Sequence, residues 1–325
     1  MLPFSRGQLM GYLWHVKNWF RVGKNFSWKL SFNTLAGFIG LNDNLRNSFL
    51  VKCADKKHEI ILSFLETEFK ELIDKYKNIP EPEEKNKENI IWILWWQGLE
   101  NAPPLVKACI NSSIKHKGSA KVILITKDNI DSYIKVPQYI IDLQSSGKMS
   151  MANMTDLIRV MLLSKYGGIW LDSTIFTSNE IPSSFFDLPF YSLHTKYDHN
   201  CYVQHNLYHI FILGSAPNGK LTSFVRDLFL EYWKRFDYII DYFLLDYTLM
   251  VAYRNFPDIK AEIDTLPYSS ERLYDLVTIL SKKYDKNYFD TLMNECLFSK
   301  LDWHKNYKVV KNGKETYYSH LIGKV

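Results

Sequence analysis

Apolar positions along this chain follow two different periods, and the change between them marks out its elements. From His58 to Lys77, Ile61, Phe64, Leu65, Phe69, Leu72, Ile73 and Tyr76 recur at three- and four-residue steps with acids and lysines between them, which predicts an amphipathic helix. The charged stretch 80–89, with prolines at its start, reads as a surface connection. The main domain is expected after it, over 88–325, leaving 1–79 as a helical N-terminal region. IIWILWW (90–96) and KVILIT (121–126) are continuous apolar runs, the pattern of strands buried on both faces. Pro103 and Pro104 precede a helix that ends near His116, and GIWLD (168–172) forms a third strand. Strands alternating with helices predict an α/β domain with a mostly parallel central sheet. Such sheets bind ligands at the carboxyl ends of their strands, where Gln97, Thr126 and Asp172 fall.

The second half is richer in helix. Residues 224–236, 238–253 and 271–284 all carry helical spacing, and 238–253 is apolar nearly all round, which predicts a central position. Residues 207–213 read as a further strand. Asp246 lies among apolar residues of the central helix, where a buried acid is either satisfied locally or faces a site. Asp241, five residues earlier, would lie about 140° around the same helix, so Asp246 is the preferred candidate.

Composition narrows the function classes. A chain of 325 residues can bury a sizeable core, and 46% hydrophobic with 23% charged residues is ordinary for a soluble globular protein. A net charge of +5 is too mild to argue nucleic-acid binding, and no Gly-rich phosphate loop or basic stripe supports it. The distribution is more telling. No Asp or Glu occurs from Met1 to Asn42, while Arg6, Lys17, Arg21, Lys24 and Lys29 are interleaved with Phe4, Tyr12, Trp14, Trp19, Phe20, Phe26 and Trp28. That mixture suits contact with an anionic membrane surface; a basic helical N-terminus packed on the fold is the other reading. No apolar run reaches the roughly 20 residues that span a bilayer, and no cleavable leader is evident. The expectation is a cytoplasmic protein, peripheral on the inner membrane surface. Cys53, Cys109, Cys201 and Cys296 are scattered, which predicts reduced thiols and neither a disulfide framework nor a zinc site.

The densest chemistry lies in MANMTDLIRVMLLSKYGGIWLDSTIF (151–176). Met151, Met154, Leu157, Ile158, Met161 and Leu162 form the buried stripe of a helix, and Asp156 and Arg159 share another face. Gly167 stands where a helix needs a left-handed C-terminal residue. Asp172 ends the strand that follows, at the lip of the core, where a carboxylate is expensive unless paired or bound to a metal. A hard divalent cation, Mn²⁺ or Mg²⁺, prefers such oxygen ligands and brings a diphosphate with it. An Asp156–Arg159 ion pair with Asp172 capping the next turn accounts for the same residues structurally.

Thr155-Asp156, Arg159 and Tyr166-Gly167-Gly168-Ile169-Trp170-Leu171-Asp172 together resemble the signature of glycosyltransferase family 32 and its bacterial capsular polysaccharide synthesis branch. Trp95-Trp96-Gln97-Gly98 resembles that family's first nucleotide-binding strand, and Asp241-Tyr242-Phe243 with Asp246-Tyr247 resembles the capsular branch. The resemblance covers roughly 88–305. It implies a GT-A-like, Rossmann-type nucleotide-binding domain with helical N- and C-terminal additions, a nucleotide-diphosphate sugar donor, a divalent metal, and transfer with retention of configuration. Asp172 then corresponds to the first acid of the family's Asp-x-Asp motif. The next acid is absent, because Ser173-Thr174 follows, so the expected metal set is Asp172, Thr174 and a late histidine, His304, with Asp302 competing. Asp156 and Asp246 are the expected catalytic acids. Trp95, Trp96, Gln97, Gly98, Thr126, Arg159, Gly168 and Lys305 are the expected donor-binding residues, although adjacent Trp95 and Trp96 point to opposite faces, so only one can stack on a base. The activity implied is hexose transfer, galactose or glucose, from a UDP-sugar to a lipid-linked glycan acceptor in bacterial surface polysaccharide synthesis. A nucleotide-sugar hydrolase and a non-catalytic membrane scaffold are the alternatives.

Overall fold

A computed structural model of the protein describes residues 19–34, 48–80, 82, 88–196 and 202–323. The rest of the basic aromatic N-terminus, most of the 80–89 connection and Cys201 lie outside the described residues; Cys53, Cys109 and Cys296 are free and buried.

The central sheet grows outward from its most apolar strand. β1 (Ile90–Leu94) pairs in parallel with β2 (Lys121–Ile125) on one side and β3 (Gly168–Leu171) on the other. β6 (Ile212–Ser215) lies antiparallel to β3, and β5 (Phe190–Ser192) antiparallel to β6, giving the order β2-β1-β3-β6-β5. Four strands thus share one direction and β6 opposes them. Alternation sends Ile91, Ile93, Ile169 and Leu171 into one apolar cluster and Trp92, Leu94, Trp170 and Leu213 into another, so both faces are covered and the strand sequences read as unbroken apolar runs.

Helices supply the cover. α5 (Pro104–Lys115) adds Val106 and Ile110 to the first cluster. The second takes in Ile140 of α6 (Gln138–Ser145), α7 (Met151–Tyr166), α8 (Lys220–Arg235), α9 (Leu244–Asn255) and Ile259 of α10 (Pro257–Asp264), and α9 is buried along nearly its whole length. α3 (Ser48–Glu68) and α4 (Lys70–Lys77) belong to the same cluster through Ile61, Leu65, Phe69, Ile73 and Tyr76. The connection at 80–89 therefore does not separate two cores. Two shorter helical pieces, α1 (19–25) and α2 (28–34), are anchored there by buried Val22 and Leu30.

Three elements differ from the sequence expectation. Residues 207–211 are not strand; His209 N–H donates to Ser192 Oγ and Ile212 N–H to His209 O, a turn that delays the ladder until Ile212. The helix expected over 238–253 begins only at Leu244, because Asp241 caps a turn in which its carboxylate accepts from Phe243 N–H and from Lys57 Nζ at 3.1 Å. Asp241 and Asp246 are thus on different elements, and Asp241 is committed to α3. Residues 271–284 form a 3₁₀ turn (Glu271–Tyr274) and a short helix, α11 (Asp275–Ile279), not one long helix.

Candidate active site

The carboxyl end of β3 is where the chain gathers its charge. Asp172 N–H still donates to Phe211 O, which fixes its backbone beside β6. Its Oδ1 accepts from Trp170 Nε1 at 2.9 Å and from Arg159 Nη2 at 3.1 Å, and its Oδ2 accepts from Lys300 Nζ at 2.8 Å. Burial alone would raise this carboxyl, but Lys300, Arg159 and the Trp170 donor outweigh it and hold Asp172 below its ordinary range. Arg159 is 4% exposed; its guanidinium lies 5.0 Å from the Trp170 ring, donates to Ile210 O at 2.8 Å, and stands 3.4 Å from Asp156.

Lys300 escapes notice in the sequence. It arrives on β7 (Phe298–Lys300), which pairs antiparallel with β4 (Ile175–Thr177), setting Lys300 abreast of Ile175; Leu301 N–H then donates to Thr174 O. Lys300 Nζ donates to Thr174 Oγ1 at 2.9 Å as well as to Asp172. The only hint in the sequence is a lysine that follows Ser299 between the apolar Phe298 and Leu301.

Beside this group opens a cavity of about 880 Å³, lined among others by Asp246, Lys300, Phe211, His209, Phe243 and Tyr274. Asp246 is 2% exposed, and its Oδ2 is buried without a hydrogen-bond partner. Burial, with Asp156 nearby and only partial relief from Arg159, pushes it up to about 8. Burial likewise pushes Asp156 up to about 7, against the pull of Arg159. Near neutral pH the cluster thus sets two cations, Arg159 and Lys300, against one firmly ionised carboxylate, Asp172. An unpartnered acid at the edge of an open cavity with excess positive charge behind it suits a polar, anionic ligand.

Other expected residues take other places. Asp156, Arg159 and Asp172 do not line the cavity; Arg159, itself 3.4 Å from Asp156, holds Asp172 from behind, and Lys300 alone of this group reaches the lining. Gly168 opens β3, about 13 Å of strand from Asp172. At φ +91°, its Cβ would lie 2.4 Å from Ile90 O, so packing against β1 explains this glycine and the expected donor contact does not. Thr126 is engaged in its own turn, its Oγ1 accepting from Asp128 N–H and its N–H donating to Asn129 Oδ1. Trp95 and Trp96 do diverge, toward opposite clusters. Trp95 meets the Trp303 ring at 5.6 Å, and its Nε1 is buried and unpartnered. Gln97 is exposed, and Gly98, at φ 79°, begins a 3₁₀ turn. The His304 ring lies tilted by 32° against Trp303 with centroids 4.0 Å apart, and Lys305 is exposed 3.6 Å from Asp302.

The oxygens expected to hold a divalent cation, those of Asp172 and Thr174, hold the Lys300 ammonium here. A dication between them would have to displace it and would meet Arg159 on the far oxygen. Among the described residues no three His, Cys, Asp or Glu side chains form a metal-holding group. The arrangement fits a resident ammonium and does not fit the expected ion.

Comparison with known proteins adds the following. Residues 42–321 match the family described as capsular polysaccharide synthesis protein, a span that takes in α3 and α4. Among solved structures, one titled PaToxG Glycosyltransferase is similar at 13% identity, covering 64% of this chain and 83% of that one with a TM-score of 0.41. No curated protein matches.

Proposed function

The chain belongs to the capsular polysaccharide synthesis protein family, and from that membership and the cleft beside Asp172 we propose that it is a retaining glycosyltransferase that moves a hexose, galactose or glucose, from a UDP-sugar to a lipid-linked oligosaccharide. The observation that carries this reading is Asp246, which lines the cavity together with Lys300 and whose Oδ2 is buried without a partner. Buried polar groups are normally satisfied, and a rotation of the Asp246 carboxyl toward the cavity would bring this one to a sugar hydroxyl.

The acceptor hydroxyl oxygen bonds to the anomeric carbon on the face the diphosphate leaves. The carbon–oxygen bond to the β-phosphate breaks, its electron pair goes to the phosphate oxygen, and that oxygen takes up the acceptor's proton. Charge on the departing diphosphate is met by fixed cations, whose value is greatest in a water-poor site. Asp246, protonated near neutral pH, donates a hydrogen bond to the sugar; Asp172 and Arg159 hold the cleft's cationic edge in register.

The site of action is the cytoplasmic face of the plasma membrane. No described helix is long and apolar enough to cross a membrane. α1 and α2 support a peripheral contact: Val22 and Leu30 are buried, while Phe20, Trp28 and Phe32 are 56%, 54% and 59% exposed beside exposed Arg21, Lys24 and Lys29.

The deciding experiment measures UDP release from UDP-galactose and UDP-glucose with and without a lipid-linked oligosaccharide extract. A transferase accelerates when acceptor is added. Release indifferent to acceptor makes the protein a hydrolase, and no release or binding of either sugar leaves it a scaffold.

A further inference from the structure

We propose that Lys300 serves as the built-in counter-ion for the donor's diphosphate, in the position a divalent metal would otherwise take, so that nucleotide binding by this protein needs no divalent cation. The inference rests on the reading of the cleft as a nucleotide-sugar site. Three observations carry it. The ammonium sits between Asp172 Oδ2 and Thr174 Oγ1, at 2.8 and 2.9 Å, the two groups that the family resemblance assigns to a metal. It also lies 4.9 Å from the centroid of the Phe211 ring, which leaves its side chain 23% exposed on the rim of the cavity that Asp246 also lines. An ammonium has three N–H donors; two are engaged by Asp172 and Thr174, and the third remains for a ligand.

Rigidity separates this lysine from a surface one. A free lysine loses much rotamer freedom when it binds, but Lys300 is already pinned by two acceptors and by a strand whose register with β4 is fixed. Such preorganisation is what makes a cation effective against charge that appears only as a bond breaks. In the transfer step its N–H donates to a β-phosphate oxygen as the carbon–oxygen electron pair arrives there; Lys300 keeps its own proton, and the acceptor's proton goes to the phosphate.

The test is calorimetric titration of UDP into the full chain, stripped with EDTA and again with added Mn²⁺, repeated with GDP and ADP and with Lys300→Met and Lys300→Arg. Thermal melts establish that each variant is folded. The expected result is that one nucleotide binds in EDTA, with Kd changing less than about twofold when Mn²⁺ is added. Lys300→Met should weaken it by about 10- to 100-fold, the worth of one charge-assisted hydrogen bond, and Lys300→Arg, which keeps the charge, by less. Binding that appears only with Mn²⁺, or that Lys300→Met leaves unchanged, overturns the role of Lys300 while sparing the glycosyltransferase reading. Failure of all three nucleotides under both conditions overturns that reading, and this inference with it.

Discussion

At the scale of single residues, Asp246 is placed at a cost to stability that its function would explain. Its pKa rises from 3.8 to about 8 because burial disfavours the charged form and Asp156 adds repulsion. Between those limits the unfolded chain has released a proton that the folded chain retains. Stability therefore falls as pH rises across the window, by at most about 1.4 kcal/mol per unit from this group. Asp156, raised to about 7, acts in the same direction, whereas Asp172, held low, contributes stability that is lost only as pH falls through its folded pKa. Urea unfolding of Asp246→Leu should show a shallower decline between about pH 5 and 8 and greater stability than wild type at pH 8. Its turnover should drop by about 100-fold or more. Asp246→Asn, a neutral polar mimic of the protonated acid, should retain more activity than Asp246→Leu; equal losses would mean that the ionised form acts. Asp156, Arg159 and Asp172 were legible in the sequence because they sit at fixed steps within one helix–strand unit. Lys300 was not, since its partner Asp172 is 128 residues away in the chain and only the β4–β7 pairing joins them.

At the scale of elements, the α7–β3 unit is the frame of the site, and Gly168 is its tightest joint. Its φ of +91° and the 2.4 Å that would separate a Cβ at this position from Ile90 O leave no room for a side chain, while Trp92 Nε1 donates to Gly167 O at 2.8 Å across the same joint. Gly168→Ala should cost on the order of 1–3 kcal/mol, the usual range for a strained backbone residue, and should lower activity by tilting β3 under Asp172. Chemical denaturation measures the first effect; a variant as stable as wild type would contradict the packing account. The buried strands are readable as unbroken apolar runs because both faces are covered, and α7 through its apolar stripe at three- and four-residue steps. The late start of α9 and the turn at 207–211 were not. Each is decided by side-chain bonds to distant elements, Asp241 to Lys57 of α3 and His209 N–H to Ser192 of β5.

At the scale of the molecule, α1 and α2 pack one face into the core, as the second reading of the basic N-terminus has it, and present aromatic and basic side chains on the other. A peripheral enzyme with this surface should cosediment with vesicles containing anionic lipid and not with neutral ones, and binding should weaken with added salt. Trp28→Glu together with Phe32→Glu should reduce cosedimentation while leaving the thermal melt nearly unchanged, because both side chains are more than half exposed. Retention of full binding by that double variant would remove this face from the account.

The most direct measurement is diffraction from crystals soaked with a UDP-sugar. The account predicts density in the cavity beside β3 and β7, with a phosphate oxygen about 3 Å from Lys300 Nζ and a sugar hydroxyl on the Asp246 carboxyl. A UDP-sugar bound elsewhere, with Lys300 still donating only to Asp172 and Thr174 and the Asp246 oxygen still unpartnered, would contradict it.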